Sequence, residues 1–378
     1  MNNVSFFDGQ KQFKIDKPVR LIELFAGIGS QAKALKNLGV DFEHYRICEF
    51  DKYAVASYNA VHGTNFTTSD ITKINADDLG IVDTDKYCYI MTYSFPCQDL
   101  SNAGIGKGMA KGSGTRSGLL WEVERLLNEC KELPQVLLME NVPQVIGQKN
   151  IEHFAKWQEK LESLGYKNKW QLLNAKDFGI PQNRDRCFMV SILGDYYYEF
   201  PKTMKLEKRL KDMLESEVDE KYYLSDKMVE YFEKHSAKNG FYMVQRPHGY
   251  NKGTQYDNMC PTITTSSFQE NNFLKEPIIY DDYNGRIKAD QTAINTLTTN
   301  CGNDAMGNGV KIIESLPYDE QNNRIRKLTP KECWRLMGFE DCDIDQSIAV
   351  GISNAQLYKQ AGNSIVVNVL MEIFKGVL

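Results

Sequence analysis

At 378 residues the chain is longer than one ordinary hydrophobic core organises, so two domains are expected. Hydrophobic residues make up 42% and charged residues 25%, a globular balance, and no apolar run approaches the ~18 residues that span a bilayer. The net charge of -5 gives no global nucleic-acid signature, although a local basic face suffices for binding, and nine scattered cysteines without a Cys-x-x-Cys pair argue against a disulfide framework or a zinc site.

The polar start, Met1 to Lys17, lacks an apolar signal core, so a cytoplasmic protein with reduced thiols is expected. Arg20 to Leu24 reads as a short strand entering the glycine turn Phe25-Ala26-Gly27-Ile28-Gly29-Ser30. The spacing of Ala34, Leu35 and Leu38 predicts a helix over Gln31–Leu38, stopped by Gly39. Such glycines permit a tight turn and close approach of a ligand, though a plain strand-to-helix turn looks the same. The next strand, Tyr45 to Cys48, ends at Glu49-Phe50-Asp51. An acid about 20 positions beyond a glycine turn is placed for ribose hydroxyls. After a helix over Lys52–Val61, Asp70 in the loop Ser69–Thr72 is a second acid placed to meet a base or an amino group.

Tyr87 to Met91 reads as a buried strand leading into Tyr93-Ser94-Phe95-Pro96-Cys97-Gln98-Asp99-Leu100-Ser101. A cysteine past a strand end on a proline turn is where an α/β enzyme presents a nucleophile; alone, it also fits a small core hydrophobe. Asn102 to Gly118 is dense in Gly, Ser and Lys, the composition of a lid or binding loop. A helix over Leu119–Cys130 and a strand over Gln135–Met139 follow, the latter delivering Glu140-Asn141-Val142-Pro143. A carboxylate at that exit faces the same crevice as Cys97 if the strands are parallel. A helix over Ile151–Leu164 and a strand over Trp170–Asn174 lead to Gln182-Asn183-Arg184-Asp185-Arg186 and a strand over Cys187–Leu193. Two arginines at i, i+2 of extended chain share a face, to grip a carbonyl or phosphate or to build a surface ion-pair ladder.

From Pro201 the character changes. Lys205 to His235 is charged and mostly helical by pattern, and Phe241 to Leu316 is rich in Thr, Asn, Gly and Tyr with short β-type runs. Cys260-Pro261-Thr262-Ile263-Thr264-Thr265-Ser266 is echoed by Ile294-Asn295-Thr296-Leu297-Thr298-Thr299-Asn300, suggesting two stacked strand–loop units. Gln356 to Phe374 closes the chain with a polar turn and an apolar helix.

This ordered set resembles the DNA (cytosine-5)-methyltransferase family. The resemblance is carried by the Phe-Ala-Gly-Ile-Gly turn, Phe95-Pro96-Cys97-Gln98, Glu140-Asn141-Val142, Gln182-x-Arg184-x-Arg186, Arg326 to Cys333 and Gly362-Asn363-Ser364-Ile365. It implies an α/β fold: a Rossmann-like S-adenosylmethionine-dependent methyltransferase sheet domain (18–200 plus 350–378) and a smaller, mostly β target-recognition domain (201–349). The implied reaction transfers a methyl group from S-adenosyl-L-methionine to C5 of a flipped cytosine in a specific duplex DNA sequence, through covalent addition of Cys97 at C6. In that scheme Glu140 contacts N3 and the exocyclic amine, Arg186 holds the base carbonyl, and Arg184 supports it.

For the cofactor, the resemblance implies Phe25, Ala26, Gly27, Ile28, Gly29 and Pro96 beside the methionine part, Glu49 on the ribose and Phe50 against the adenine. Asp70 and Ile71 belong at the adenine edge, and Asn363 and Ser364 close the pocket. Two residues depart from the family pattern: Glu23 where Asp is usual and Ser30 where Gly is usual. Expected DNA contacts are Gln98, Ser101, Lys107 and Arg116 on the loop, and Arg246, Thr262, Arg286, Thr296 and Leu297 in the recognition region. The resemblance implies double-stranded DNA as partner, a monomer, no metal and no membrane, in a restriction-modification system with a cognate endonuclease or as an orphan enzyme. A tRNA cytosine-5 methyltransferase shares the catalytic set, but its Cys-Phe-Thr signature is not seen. A catalytically silent DNA-binding regulator is the alternative from another class.

Overall fold

A computed structural model describes residues 11–96, 100, 108–112, 114–223, 242–244, 255–257, 259–265, 273–275, 279–281, 286–288, 310–311 and 325–378. Six strands form one mixed sheet: β1 (Val19–Leu24), β2 (Phe42–Cys48), β3 (Cys88–Tyr93), β4 (Val136–Asn141), β5 (Tyr166–Asn174) and β6 (Asp185–Leu193). Their order is β2-β1-β3-β4-β6-β5. β1 runs parallel to β2 and β3, and β3 to β4, whereas β6 is antiparallel to both neighbours.

The central strands β3 and β4 are buried along their whole length, because helices cover both faces. Successive side chains enter opposite layers: Leu138 joins one core with Ile90 and Val190, and Leu137 and Met139 join another with Met91 and Met189. The first layer holds α1 (Ser30–Asn37) and part of α2 (Lys52–His62); the second holds α3 (Leu120–Glu129) and α4 (Ile151–Ser163). The strands expected at Tyr45 and Trp170 begin earlier, at Phe42 and Tyr166, because partly exposed edge strands lack a continuous apolar run.

The antiparallel direction of β6 positions the site. In this register Glu140 lies opposite Phe188 and Asn141 opposite Cys187, so the start of β6 meets the end of β4. Arg186 therefore reaches the carboxyl edge of the parallel strands.

The mostly helical segment expected over Lys205–His235 is corrected where described. Residues 205–223 carry only two single 3-10 turns, Leu210–Met213 and Glu220–Tyr222. Leu210 and Met213 are the buried anchors, a pair that seats one turn without an amphipathic stripe. Beyond them, β7 (Tyr242–Val244), β8 (Gln255–Asp257), β9 (Phe273–Lys275) and β10 (Ile325–Lys327) form an antiparallel sheet in the order β8-β7-β9-β10. Ile279–Asp281, Arg286–Lys288 and Val310–Lys311 form a second, smaller one. The second copy of the Thr-rich echo lies outside the described residues.

The return to the sheet body runs through α5 (Pro330–Arg335), α6 (Asp341–Ala349), α7 (Asn354–Asn363) and α8 (Val367–Lys375). Thr329 and Glu332 form a capping box on α5, and Glu332 also takes both terminal nitrogens of buried Arg326 at 2.8 and 2.9 Å. Lys33 of α1 binds Glu340 and Asp343 at 3.0 and 2.9 Å, and the Trp334 indole donates to the Leu357 carbonyl at 3.0 Å. Residues 330–349 are thus tied to the sheet helices. Among the described residues no helix is long and apolar enough to cross a membrane. Cys48, Cys88, Cys130, Cys187, Cys260, Cys333 and Cys342 are free thiols.

Candidate active site

One edge of the sheet gathers the ends of β1, β2, β3 and β4 and the start of β6. At its β1–β2 end, Phe25 takes a left-handed backbone conformation, φ 59°, which non-glycine residues rarely adopt. Its N–H and that of Ala26 both donate to the Cys48 carbonyl, at 2.7 and 3.3 Å, fixing the turn to the neighbouring strand. Gly27 and Gly29 follow with φ of 57° and 78°. A Cβ on Gly29 would lie 2.3 Å from His62 Nε2 and 2.6 Å from Tyr58, whereas a Cβ on Gly27 would meet nothing within 4 Å. One glycine admits close packing beneath the turn, and the other borders open space.

Glu49 is held in this turn by backbone donors: Gly27 N–H to Oε2 at 2.9 Å and Asp51 N–H to Oε1 at 2.8 Å. Burial raises its pKa, opposed by those N–H groups. Each carboxylate oxygen keeps a further lone pair for a hydroxyl. The Phe50 ring beside it is 76% exposed, an unusual position for a large apolar side chain. Ile71 is buried, its carbonyl bound by Arg125 at 3.0 Å. Asp70 is engaged by the Thr72 hydroxyl and N–H, which depress its pKa. Ile28 is buried too, its carbonyl accepting from His62 at 3.1 Å.

At the β4–β6 end, the Phe95 carbonyl accepts from Asn141 Nδ2 at 2.9 Å and the Pro96 carbonyl from Ser117 Oγ at 2.8 Å. These bonds hold the strand exit that leads to Cys97. Cys97, Gln98, Ser101 and Lys107 lie outside the described residues. Glu140 is buried and pairs through Oε1 with Arg186 Nε at 3.1 Å. Burial raises its pKa, and the charges of Arg186 and Arg184 pull it back only in part.

Arg184 donates through Nη1 to the Ile263 carbonyl at 2.8 Å and through Nη2 to those of Gly362 and Ser364 at 3.0 and 2.7 Å. A buried guanidinium needs acceptors, and three backbone carbonyls supply them. Thr262 likewise turns its hydroxyl inward, to the Asn183 carbonyl at 2.7 Å, because Cys260–Pro261 pairs in parallel with Gln182–Asn183. Ile263 is fully buried, so it anchors this segment.

Arg116 is exposed at the head of a 3-10 turn, Arg116–Leu119. Arg286 begins a short strand of which only the backbone is described. Arg246, Thr296 and Leu297 lie outside the described residues. Asn363 is exposed at the end of α7, while Ser364 is buried with its hydroxyl on the Gln360 carbonyl at 2.8 Å. Sequence reasoning gave no roles to Asn141, Ser117 and Gln182. Gln182 grips the Leu336 carbonyl at 2.7 Å and the Ile263 N–H at 3.0 Å. The signal available was a polar side chain beside a catalytic candidate at a strand end.

The family model for the C-5 cytosine-specific DNA methylase matches residues 19–378. Among curated relatives, Type II methyltransferase M2.ScrFI of Lactococcus lactis subsp. cremoris is 32% identical, covering 94% of this chain and 98% of the relative. Orphan methyltransferase M.SPBetaI of Bacillus phage SPbeta is 29% identical, covering 95% and 97%. Among solved structures, the Entamoeba histolytica methyltransferase EhMeth superimposes with a TM-score of 0.65 at 18% identity, covering 95% and 98%. The S. pombe Dnmt2 methyltransferase gives a TM-score of 0.61 at 21% identity, covering 95% and 97%. These two likenesses establish the fold.

Proposed function

The chain belongs to the C-5 cytosine-specific DNA methylase family, an S-adenosylmethionine-dependent enzyme family, and from that premise we propose that it methylates cytosine C5 within a specific duplex DNA sequence. The observation that carries this reading is the buried Glu140–Arg186 pair, 3.1 Å apart at the sheet edge where the Phe95–Pro96 exit delivers Cys97. The names of the relatives include a Type II and an orphan methyltransferase, and a setting with or without a cognate restriction endonuclease suits this chemistry. We take the enzyme to act as a monomer.

The turn fits the cofactor. Gly27 borders open space, Glu49 is fixed by backbone N–H groups with acceptor capacity left for ribose hydroxyls, and the exposed Phe50 ring offers a face to the adenine. Asp70 and Ile71 would border the adenine, with Phe25, Ala26, Ile28, Gly29, Pro96, Asn363 and Ser364 completing the pocket. S-adenosylmethionine supplies an electrophilic methyl group on its sulfonium.

Cytosine C5 is a poor nucleophile while the ring is aromatic. A base inside a duplex also hides C6, so the cytosine is flipped out at a cost of a few kcal/mol. The Cys97 sulfur then bonds to C6, which makes C5 enamine-like. A thiol of pKa about 8.5 is only partly ionised near neutrality, so the site must favour its thiolate. Glu140, whose proton affinity is raised by burial, faces N3 and the exocyclic amine and offsets charge as it builds on the ring. Arg186 donates to the base carbonyl. Once C5 is methylated, its proton leaves to a base and the C6–S bond breaks, restoring the ring. Gln98, Ser101, Lys107 and Arg116 would contact DNA from the loop, and Arg246, Arg286, Thr296 and Leu297 from the recognition region. We place that region at 201–349.

A labelled-cofactor assay tests the reading. Label should enter duplex DNA and not tRNA, Cys97→Ala should abolish it, and bisulfite sequencing of host DNA should show one methylated motif. Label on tRNA alone would replace DNA as the substrate, and DNA binding with no transfer would favour a silent regulator.

A further inference from the structure

Arg184 and Ser30 are joined by a path that runs through the Ile263, Gly362 and Ser364 carbonyls and the Ile365 N–H. Arg184 joins the Ile263 carbonyl in the recognition region to the Gly362 and Ser364 carbonyls in the C-terminal segment. Gln182 seats the same Ile263 through its N–H and ties it to Leu336. One residue beyond Ser364, the Ile365 N–H donates to the Ser30 hydroxyl at 3.3 Å. Ser30 is the first residue of α1, directly after the cofactor turn.

Contact along this path is close enough to transmit position. A Cβ on Gly362 would lie 2.4 Å from the Thr265 nitrogen and 2.5 Å from the Thr264 carbonyl carbon, both backbone atoms. Residues 264–265 are thus packed directly on the end of α7, and the residue after Ser364 is bonded to α1. The final link is supplied by the Ser30 side chain, which directly follows Gly29 of the turn.

We propose that Arg184 and Ser30 are positioning residues that couple the recognition region to the cofactor turn, so that bound duplex DNA tightens cofactor binding. The inference rests on the proposed function, since it takes residues 18–30 as the cofactor side and 241–316 as the DNA side. By thermodynamic reciprocity, cofactor tightens DNA binding by the same factor.

The test measures the dissociation constant of S-adenosylhomocysteine by calorimetry, with and without saturating unmethylated duplex DNA amplified from unmodified nucleotides and sheared. In the wild type, DNA should tighten binding. In Ser30→Ala the tightening should shrink by about fivefold, the net worth of one hydrogen bond. Steady-state turnover should show that loss in KM for the cofactor, with little change in kcat, a split that general destabilisation would not give. Arg184→Lys, which retains a charge but not the three-carbonyl grip, should lose the tightening as well and serves if Ser30→Ala fails to fold. Full tightening in both variants, or none in the wild type, overturns the inference while leaving methylation intact. A wild type that binds neither S-adenosylhomocysteine nor duplex DNA overturns the proposed function, and this inference with it.

Discussion

Two buried carboxyl groups stand near opposite ends of the same sheet edge, and they are handled differently. Glu140 has a guanidinium partner, Arg186. Glu23 is fully buried behind the glycine turn with no cation beside it among the described residues; the Tyr58 hydroxyl donates to it at 2.5 Å and the Ala32 N–H at 3.3 Å. Burial raises the pKa of both, but Arg186 opposes the rise at Glu140, whereas only neutral donors oppose it at Glu23, which reaches about 7. The difference leaves Glu140 in an ion pair at the sheet edge and Glu23 among neutral donors. Glu140 sits beside the exit to Cys97, and Glu23 braces the start of α1.

The largest expected effect breaks this comparison at its chemical end. Glu140→Gln keeps the volume but removes the titrating group, and kcat should fall about 10²–10³-fold, with the thermal midpoint held. An unchanged kcat would mean that Glu140 is structural, as Glu23 is. Equal losses of kcat and stability would say the same.

Much of this arrangement was legible in the residues and some was not. The order strand, glycine turn, helix, strand, acid announced the β1–β2 end, because apolar runs and glycines act locally. The meeting of Glu140 and Arg186 depends on β6 running antiparallel, and strand direction leaves no mark on a short apolar run such as Cys187–Leu193. The roles of the two motif arginines were hidden for a related reason. Their shared face in extended chain is a local property, while the carbonyls that capture Arg184 come from Ile263, Gly362 and Ser364, far along the chain.

The second prediction addresses the structural carboxyl through pH. Glu23 binds its proton more tightly in the folded state, about 7 against the ordinary 4.5. Its contribution is therefore complete below pH ~4.5 and is lost as pH rises through about 7, at most about 3 kcal/mol. His62, pushed down to about 3 by burial, acts in the opposite sense: stability tied to its neutral form is lost as pH falls from about 6.5 toward 3. Comparing denaturant unfolding of wild type and Glu23→Gln at each pH cancels the histidine. The gap between them should widen in favour of the variant between pH 5 and 8. A gap independent of pH would show that Glu23 does not titrate in that range.

A smaller contrast lies within the cofactor turn. Ala at Gly29 must adopt φ near 78° and push its methyl into His62 and Tyr58, whereas Ala at Gly27 bears only the backbone strain. Left-handed backbone costs roughly 1–2 kcal/mol for a non-glycine residue, so both variants should lose that much stability. Gly29→Ala should lose roughly another 1–3 kcal/mol from overpacking. Gly27→Ala should instead show its further cost in cofactor affinity, since its methyl points into open space. Equal melting temperatures would overturn the division between a packing glycine and a ligand-facing one.

The smallest expected effect isolates binding from folding. Phe50 is 76% exposed, so little apolar burial in the free protein depends on it. Phe50→Ala should therefore leave the unfolding free energy within about 0.5 kcal/mol of wild type, as exposed substitutions do. Its neighbour Glu49 would still be fixed by the Gly27 and Asp51 N–H groups, so the ribose end of the cradle survives the change. What disappears is one aromatic face, worth about 0.5–1.5 kcal/mol, or roughly a two- to tenfold weaker dissociation constant for S-adenosylhomocysteine. Phe50→Tyr, which keeps the ring, should bind as the wild type does. Equal affinity in all three proteins would remove the adenine from this part of the cradle and leave the exposed ring without a ligand-based reason.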